Sequence, residues 1–155
     1  MRQLLKEEEV AMINELGKQE LTASHAYLHL SVMMKNLGFF GAEKYFLGES
    51  DSEREHFGKW NSFMNDMGEA ISVQGLEAQT ADVDSLMEAL EFAYEMEADL
   101  LSMYEQAYET ASPKMKALVY DFLNIQTKSV GEYGDLIARL NLTGEPILID
   151  QELGK

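Results

Sequence analysis

The sequence predicts an all-α protein, a four-helix bundle with one long crossover and a short C-terminal helix. Only two prolines occur in 155 residues, and the long segments between breakers repeat apolar residues at intervals of three and four. Four such segments form two pairs, each joined by a tight turn. A single polar stretch, GEAISVQGLEAQTADV, separates the pairs and is typical of a loop. We expect one domain over residues 1–155.

The first pair of helices lies in the N-terminal half of the chain. Helix A is predicted from about Lys6 to Leu37 and helix B from about Gly41 to Met67. Both end at a glycine, the usual residue after a helix. Helices of about 27 residues are roughly 40 Å long, and a crossover of about 15 residues reaches roughly 50 Å when extended. The crossover can therefore cover the length of the bundle and make helices B and C parallel.

The second pair of helices follows the crossover. Helix C is predicted from about Asp84 to Thr110, with Asp84 as its N-cap. Ser112 caps helix D and Pro113 opens it, because proline suits the first helical position. Helix D is expected to end near Asn141. After the turn TGEP, the segment ILIDQELGK is predicted to form a short final helix or a docked tail.

Composition and charge exclude several functions. The chain has 28 acidic and 12 basic residues, a net charge of −16, which repels nucleic acid and anionic membranes and attracts cations. It has no cysteine, so disulfides, thiolate metal sites and thiol catalysis are excluded. The N-terminal stretch MRQLLKEEEVAMINEL is too charged for a signal peptide, and no apolar run has the length of a membrane span. We expect a soluble cytoplasmic protein without nucleic-acid or membrane partners.

Each predicted helix carries an apolar stripe toward the core, and each stripe is interrupted by polar residues near its middle. The stripes are Ile13, Leu16, Glu20, Ala23, Tyr27, Leu30, Met34, Leu37 in helix A; Ala42, Phe46, Glu49, Glu53, His56, Trp60, Phe63, Met67 in helix B; Leu86, Leu90, Ala93, Glu97, Leu100, Tyr104, Ala107 in helix C; and Met115, Val119, Phe122, Gln126, Ser129, Tyr133, Leu136, Leu140 in helix D. The polar interruptions lie at similar distances from the tight turns. They are therefore predicted to form one layer across the bundle.

A layer of buried carboxylates predicts a metal site. Each carboxylate costs on the order of several kcal/mol through desolvation, and a bound metal supplies the missing positive charge. Carboxylates with one imidazole favour iron or manganese, with zinc as a competitor. The spacing Glu53-x-x-His56 places both side chains on one helix face. We predict Glu20, Glu53 and His56 as ligands of one metal and Glu53 and Glu97 as ligands of a second, with Gln126 beside it.

Two further residues face the predicted layer. Glu49 lies one turn before Glu53, and we expect it to hold a third metal or to pass ions inward. Tyr27 lies two turns after Glu20, near enough to hydrogen-bond to the site or to supply an electron.

Simpler explanations exist for each of these residues taken alone. An isolated Glu-x-x-His is common on solvated helix faces, and a buried polar layer without metal can fix the register of a bundle. The joint occurrence in four stripes favours metal. His25 and His29 miss the stripe of helix A and are expected at a surface or an interface. Methionines commonly fill gaps in the packing of helices. A role as haem ligand stays open for four of them, Met33, Met34, Met64 and Met67.

The chain resembles the non-haem ferritins of bacteria over nearly its whole length. The resemblance rests on NELGKQELTASHAYLHLS, ESDSEREHFGKW, FAYEMEADLLSMYEQAY, FLNIQ and ILIDQEL. It implies a ferritin-like domain whose iron ligands are Glu20, Glu53, His56 and Glu97, with Gln126 as the adjoining glutamine and Tyr27 as a redox-active tyrosine. The position of Glu49 is similar to ferritins of cyanobacteria and diatoms, where the matching acid contributes to a third iron position or to the route into the cavity.

The resemblance also implies a function. Fe²⁺ is expected to be oxidised by O₂ or peroxide at a dinuclear ferroxidase centre and stored as a ferric mineral in a closed cage of 24 subunits. Asp121 is expected at a channel mouth. Bacterioferritins and rubrerythrins carry a second Glu-x-x-His, where helix D has Gln126 and Ser129, so both relatives fit poorly. Two alternatives stay open, a di-iron oxidase or peroxidase that stores no mineral and a structural bundle without metal.

Overall fold

The described part of the chain forms five α-helices joined by short turns and one long crossover. The computed structural model describes residues 2–155, and its helices are α1 (Glu7–Leu37), α2 (Phe40–Asp66), α3 (Leu86–Thr110), α4 (Pro113–Thr143) and α5 (Pro146–Leu153). The predicted all-α bundle is confirmed, and the C-terminal segment is a helix. Within these residues, none of the helices combines the length and apolarity needed to cross a membrane.

Two apolar clusters fill the bundle, one toward each end. The first joins the C-terminal parts of α1 and α4 with the N-terminal parts of α2 and α3. The second joins the N-terminal parts of α1 and α4 with the C-terminal parts of α2 and α3. Because α2 and α3 begin in the same cluster, these two helices are parallel, as the crossover length allowed. On every long helix the predicted polar residue lies between the two clusters.

Glycines end α1 and α4. Gly38 has φ +89° and Gly144 has φ +62°, left-handed values that glycine adopts without a steric penalty. Because Gly144 stops the helix, α4 continues to Thr143, past its predicted end at Asn141.

The start of α3 differs from the prediction by one residue. The N-cap is Ser85, whose Oγ accepts a hydrogen bond from the backbone N–H of Glu88 at 3.1 Å. Asp84, the expected cap, lies one residue before it, and its backbone N–H donates to the Glu88 carboxylate at 2.7 Å. Together these bonds form a reciprocal cap that satisfies two backbone donors.

The predicted stripes are mostly buried. Four residues in the middle of α2 and α4 are only half-buried, Glu49, His56, Ser129 and Leu136, and further departures lie near two helix ends. Leu37 is 43% exposed because it lies in the last turn of α1. Near the end of α2, Met64 is buried whereas Phe63 and Met67 are half-buried. A stripe drawn with a 3.5-residue period drifts by roughly 20° per heptad from a straight helix. Near the end of α2, this drift places Met64 in the core in place of the predicted Phe63.

The crossover is held against α1. The Asn14 side chain accepts a hydrogen bond from the backbone N–H of Ser72 at 2.9 Å, and the Asn14 carbonyl accepts one from the side chain of Gln74 at 3.2 Å. Farther along, Nε2 of His29 lies 2.7 Å from the carbonyl oxygen of Ala81. His25 is exposed, as expected, whereas His29 is half-buried under the crossover.

The C-terminal helix α5 docks on the start of α2. Oδ1 of Asp150 accepts a hydrogen bond from the backbone N–H of Ala42 at 2.7 Å, in a buried position. This satisfies one of the free N–H groups at the start of α2. A Cβ on Gly41 would lie 1.9 Å from the Asp150 carbonyl oxygen, so the two backbones approach at a distance that only glycine permits. A two-bond ion pair between Arg139 and Glu152 ties α5 to α4.

Candidate metal centre

Four polar side chains meet in the middle of the bundle, one from each long helix. Glu20, Glu97 and Gln126 are fully buried, and Glu53 is 2% exposed. The imidazole of His56 lies beside them, half-buried. Among the described residues, His56 is the sole basic side chain within ion-pairing distance of these carboxylates. The layer that the sequence predicted is therefore present, and it holds more acid than base.

Three of the predicted ligands converge on one point. One ligand atom from each of Glu20, Glu53 and His56 can be chosen so that all three lie within 4.8 Å of one another. Nδ1 of His56 lies 3.3 Å from Oε2 of Glu20 and 3.1 Å from Oε2 of Glu53. The ring of Phe122 meets the imidazole edge-on at 5.6 Å and limits its rotation. Two carboxylate oxygens and one imidazole nitrogen suit iron, manganese or zinc.

Glu97, whose charge acts on Glu53, lies outside this group of three. Tyr27 donates a hydrogen bond to its Oε1. The Gln126 amide donates to its Oε2 at 2.6 Å and to its backbone carbonyl at 3.1 Å. Oε1 of Gln126 is buried and has no hydrogen-bond partner. Since buried acceptors are almost always satisfied, this atom indicates a place where a water molecule or a metal-bound group fits beside Glu97.

A second tyrosine at the site was not predicted as a functional residue. The hydroxyl of Tyr104 donates to Oε1 of Glu20 at 2.5 Å and accepts from Nε1 of Trp60 at 3.1 Å. Its ring is stacked on Phe122, with centroids 4.8 Å apart and planes 4° apart. The sequence does contain a signal for it, because the spacing Glu-x₆-Tyr occurs once in α1 and once in α3.

The two neighbouring carboxylates have opposite pKa shifts. Burial raises the pKa of Glu53 well above its usual value, and the nearby carboxylates of Glu20 and Glu97 raise it further. For Glu20, burial acts in the same direction but is outweighed by hydrogen bonds with Glu53, His56 and Tyr104, so its pKa is lowered. Without metal, the surroundings of Glu53 therefore favour its protonated form more than water does. Since a carboxylate binds metal in its deprotonated form, metal binding at Glu53 competes with protonation.

The remaining predicted residues lie away from the group of three. Glu49 is half-buried, and its pKa is raised by burial and by the charges of Glu97 and Glu132, despite a hydrogen bond with Tyr45. Asp121 is exposed and lines a surface depression between α2 and α4. The roles predicted for these two acids, in a third site and at a channel mouth, stay predictions.

The fold and the layer define a four-helix-bundle protein with a buried carboxylate and histidine group that can bind metal. Residues 10–143 match the family described as the ferritin-like domain, and the chain belongs to that family. A protein of Haemophilus influenzae named a probable bacterial non-heme ferritin-like protein is 25% identical, over 97% of this chain and 96% of its own. A ferritin of Pacifastacus leniusculus is 29% identical, over 94% of this chain and 87% of its own.

The fold also matches a solved structure. An open pore ferritin from the hyperthermophilic archaeon Archaeoglobus fulgidus superposes with a TM-score of 0.91, over 97% of this chain and 96% of the other. Because the identity is only 20%, this likeness supports the fold and not the activity. The predicted ferritin-like bundle and the predicted resemblance to ferritins are confirmed. The nearer likeness to ferritins of cyanobacteria and diatoms stays a prediction.

Proposed function

We propose that the chain is the subunit of an iron-storage ferritin with ferroxidase activity. It binds two Fe²⁺ ions in the buried layer, oxidises them with O₂ or peroxide, and delivers Fe³⁺ to a mineral inside a multisubunit cage. The observation that carries the proposal is the group of Glu20, Glu53 and His56 in a ferritin-like domain. One ligand atom from each of these residues lies within 4.8 Å of the other two.

The ligand set suits the oxidation of iron. Glu20, Glu53 and His56 bind the first Fe²⁺, and Glu53 shares the second with Glu97. Each ion loses one electron, and the two electrons with two protons reduce O₂ to hydrogen peroxide or reduce peroxide to water. Carboxylate oxygens are hard ligands and stabilise the higher charge of Fe³⁺. The positive charge of the bound iron offsets the repulsion between the buried carboxylates.

Other residues support this chemistry. Gln126 and Tyr27 hold Glu97 through hydrogen bonds, and Tyr27 is close enough to supply a further electron. Glu49 holds a third iron or transfers ions between the layer and the cavity. Asp121 lies at the mouth of an entry channel. The net charge of −16 concentrates Fe²⁺ at the protein surface.

The assembly is proposed as a cage of 24 copies, each a single domain of residues 1–155, in the cytoplasm. Apolar side chains exposed on α1, α2 and the crossover support burial between copies, since such patches commonly mark interfaces. Examples are Leu28 at 44%, Val32 at 51%, Leu47 at 41% and Val73 at 76% exposure.

An aerobic titration of metal-free protein with Fe²⁺ tests the proposal, followed by near-ultraviolet absorbance and by sizing. The variant Glu53→Gln removes one shared ligand, and Glu55→Gln is the matched control because Glu55 is exposed on the same helix. We expect a fast phase that saturates at about two irons per subunit and slower uptake afterwards, in the wild type and in the control. Glu53→Gln should lose the fast phase.

The other outcomes separate the alternatives. Saturation without further uptake, in a small oligomer, would identify an oxidase that stores no mineral. Oxidation no faster than in buffer, and equal in all three proteins, would reject the metal centre and leave a structural bundle.

A further inference from the structure

A groove of about 670 Å³ lies between α1 and α3 and ends at the crossover. It faces away from the depression between α2 and α4 that contains Asp121. Its floor is apolar, with Ala23 and Ala26 from α1 and Phe92, Met96 and Leu100 from α3. This volume is in the range of sites that bind ligands, and no step of the proposed iron chemistry uses it.

Acidic residues form a line along one edge of the groove. Glu88, Glu91, Glu95 and Asp99 follow one another on α3 at intervals of three and four, so they share one helix face. All four are exposed, and none of them forms an ion pair among the described residues. Lys, Arg and His are absent from the groove lining in this part of the chain. The edge is therefore a row of negative charge without a basic partner in the described part of the chain, next to an apolar floor.

The groove is held in its shape before anything binds. Its end wall is the last part of the crossover, where Nε2 of His29 contacts the carbonyl oxygen of Ala81 at 2.7 Å and Val83 is buried. Its long edge is a continuous helix from Glu88 to Met103, which spans roughly 22 Å, or about four helical turns. A preformed site of this kind loses little conformational entropy on binding.

We propose that this groove binds a basic amphipathic helix of about four turns from a partner protein. The apolar face of that helix packs on Phe92 and Met96, and its Lys and Arg side chains pair with the acidic edge. Helices commonly bind apolar grooves in this way, and methionine adapts to varied partners. A second copy of this chain is a poorer occupant, because it has only 12 Lys and Arg residues against 28 acidic ones and so offers few cations to pair with the acidic edge. The proposal is independent of the iron chemistry.

The test uses a fluorescein-labelled peptide of Leu and Lys, about four turns long and amphipathic as a helix. A second peptide has the same composition in a scrambled order without an apolar face. Fluorescence anisotropy on the assembled protein, at roughly physiological ionic strength, should show at least about tenfold tighter binding of the amphipathic peptide.

Two charge-reversed variants locate the site. Glu91→Lys combined with Glu95→Lys should weaken binding of the amphipathic peptide by at least about tenfold. The matched control is Glu105→Lys combined with Glu109→Lys, which makes the same charge change at exposed positions of α3 outside the groove. The control should weaken binding by no more than about threefold. Met96→Gln tests the floor without a change of charge and should weaken binding by about fivefold.

Three results would overturn the proposal. Equal losses in the two charge-reversed variants would show general attraction to an acidic surface. Equal affinity for the two peptides would show that the floor contributes nothing. A smaller oligomer for Met96→Gln in analytical ultracentrifugation, without peptide binding by the wild type, would assign the groove to a second copy of the chain. Circular dichroism checks that each variant is folded.

Discussion

Tyr104 on α3 donates a hydrogen bond to Glu20 on α1, with 2.5 Å between the hydroxyl oxygen and Oε1. The reciprocal contact also exists, because Tyr27 on α1 donates to Glu97 on α3. In each helix the tyrosine lies seven residues after the glutamate. Since α1 and α3 are antiparallel, each tyrosine reaches the glutamate of the other helix. Each phenol occupies one carboxylate oxygen and leaves the second toward the layer, where Oε2 of Glu20 faces His56.

The variant Tyr104→Phe should weaken metal binding at the first site by about tenfold or more, because groups that orient a ligand commonly contribute this much. Titration calorimetry with Zn²⁺ on metal-free protein measures the affinity. Tyr108→Phe is the control, since Tyr108 lies one turn farther along the same helix and is 38% exposed. The same affinity in Tyr104→Phe and the wild type would show that Glu20 does not need this hydrogen bond.

The variant Gln126→Leu should lower the number of tightly bound metal ions from about two to about one per subunit. Gln126 donates to Glu97 at 2.6 Å, and leucine fills a similar volume without that bond. The same calorimetric titration measures the stoichiometry, with Asn124→Leu at an exposed position of α4 as control. Loss of both ions would mean that Gln126 supports the whole layer and not only the Glu97 side.

The variant Glu53→Gln should be more stable than the wild type when both are free of metal. The pKa of Glu53 is raised, chiefly by burial. The protonated Glu53 side chain therefore contributes fully to stability at pH values below the usual glutamate pKa of about 4.3. That contribution is lost as the pH rises through the higher pKa of the folded state. Urea unfolding at one protein concentration should show a gain of roughly 1 kcal/mol or more at neutral pH, which disappears in acid.

Added Zn²⁺ provides a second check on this prediction. The metal should stabilise the wild type and leave the stability of Glu53→Gln nearly unchanged, because a ligand raises the stability only of a protein that binds it. A wild type that is more stable than Glu53→Gln without metal would show that the buried layer carries no electrostatic strain.

Glu9 joins the starts of α1 and α4. Its Oε2 accepts hydrogen bonds from Oγ and the backbone N–H of Ser112, at 2.6 and 3.1 Å. Burial opposes ionisation, but the bonds from Ser112 and Lys6 outweigh it and lower the pKa of Glu9. A carboxylate whose pKa is lower in the folded than in the unfolded state stabilises the fold at pH values above its unfolded-state pKa. This stabilisation is lost as the pH falls through the folded-state pKa.

The variant Glu9→Gln should therefore lose about 1–2 kcal/mol of unfolding free energy at neutral pH. The loss should shrink below a pH of about 4, where the wild-type carboxylate is also protonated. Denaturant unfolding at several pH values measures both effects, and Glu8→Gln at an exposed position is the control. A loss that does not vary with pH would indicate that the geometry of the side chain matters and its charge does not.

The variant Gly41→Ala should displace α5, because a Cβ at this position would lie 1.9 Å from the Asp150 carbonyl oxygen. Gly48→Ala is the matched control on the same helix, since no atom lies within 4 Å of a Cβ there. The control should be neutral or stabilise α2 by up to about 1 kcal/mol. Limited proteolysis should cut the C-terminal segment faster in Gly41→Ala alone. Equal cutting rates would show that α5 tolerates the shift.

Much of the fold and of the site could be predicted from the sequence because the signals are local. Glycine and proline mark the helix ends to within a few residues, and the spacing of apolar residues assigns the buried face of each helix. The largest errors fall where a local rule had competitors, as at Asp84 and Ser85, which are both good caps. Leu37 has the spacing of a buried residue but lies where the bundle ends.

By itself, the sequence determined four long helices in two pairs and the layer of Glu20, Glu53, His56, Glu97 and Gln126, because these features depend on intervals of a few residues. Only the tertiary structure decided which oxygen each carboxylate turns to the layer, that Tyr104 belongs to the site, and that α1 and α3 enclose an acidic groove. The residues in these contacts are far apart in the chain, 84 positions for Tyr104 and Glu20. Helical periodicity specifies which face of a helix is buried, but the packing of all four helices selects the partner on another helix.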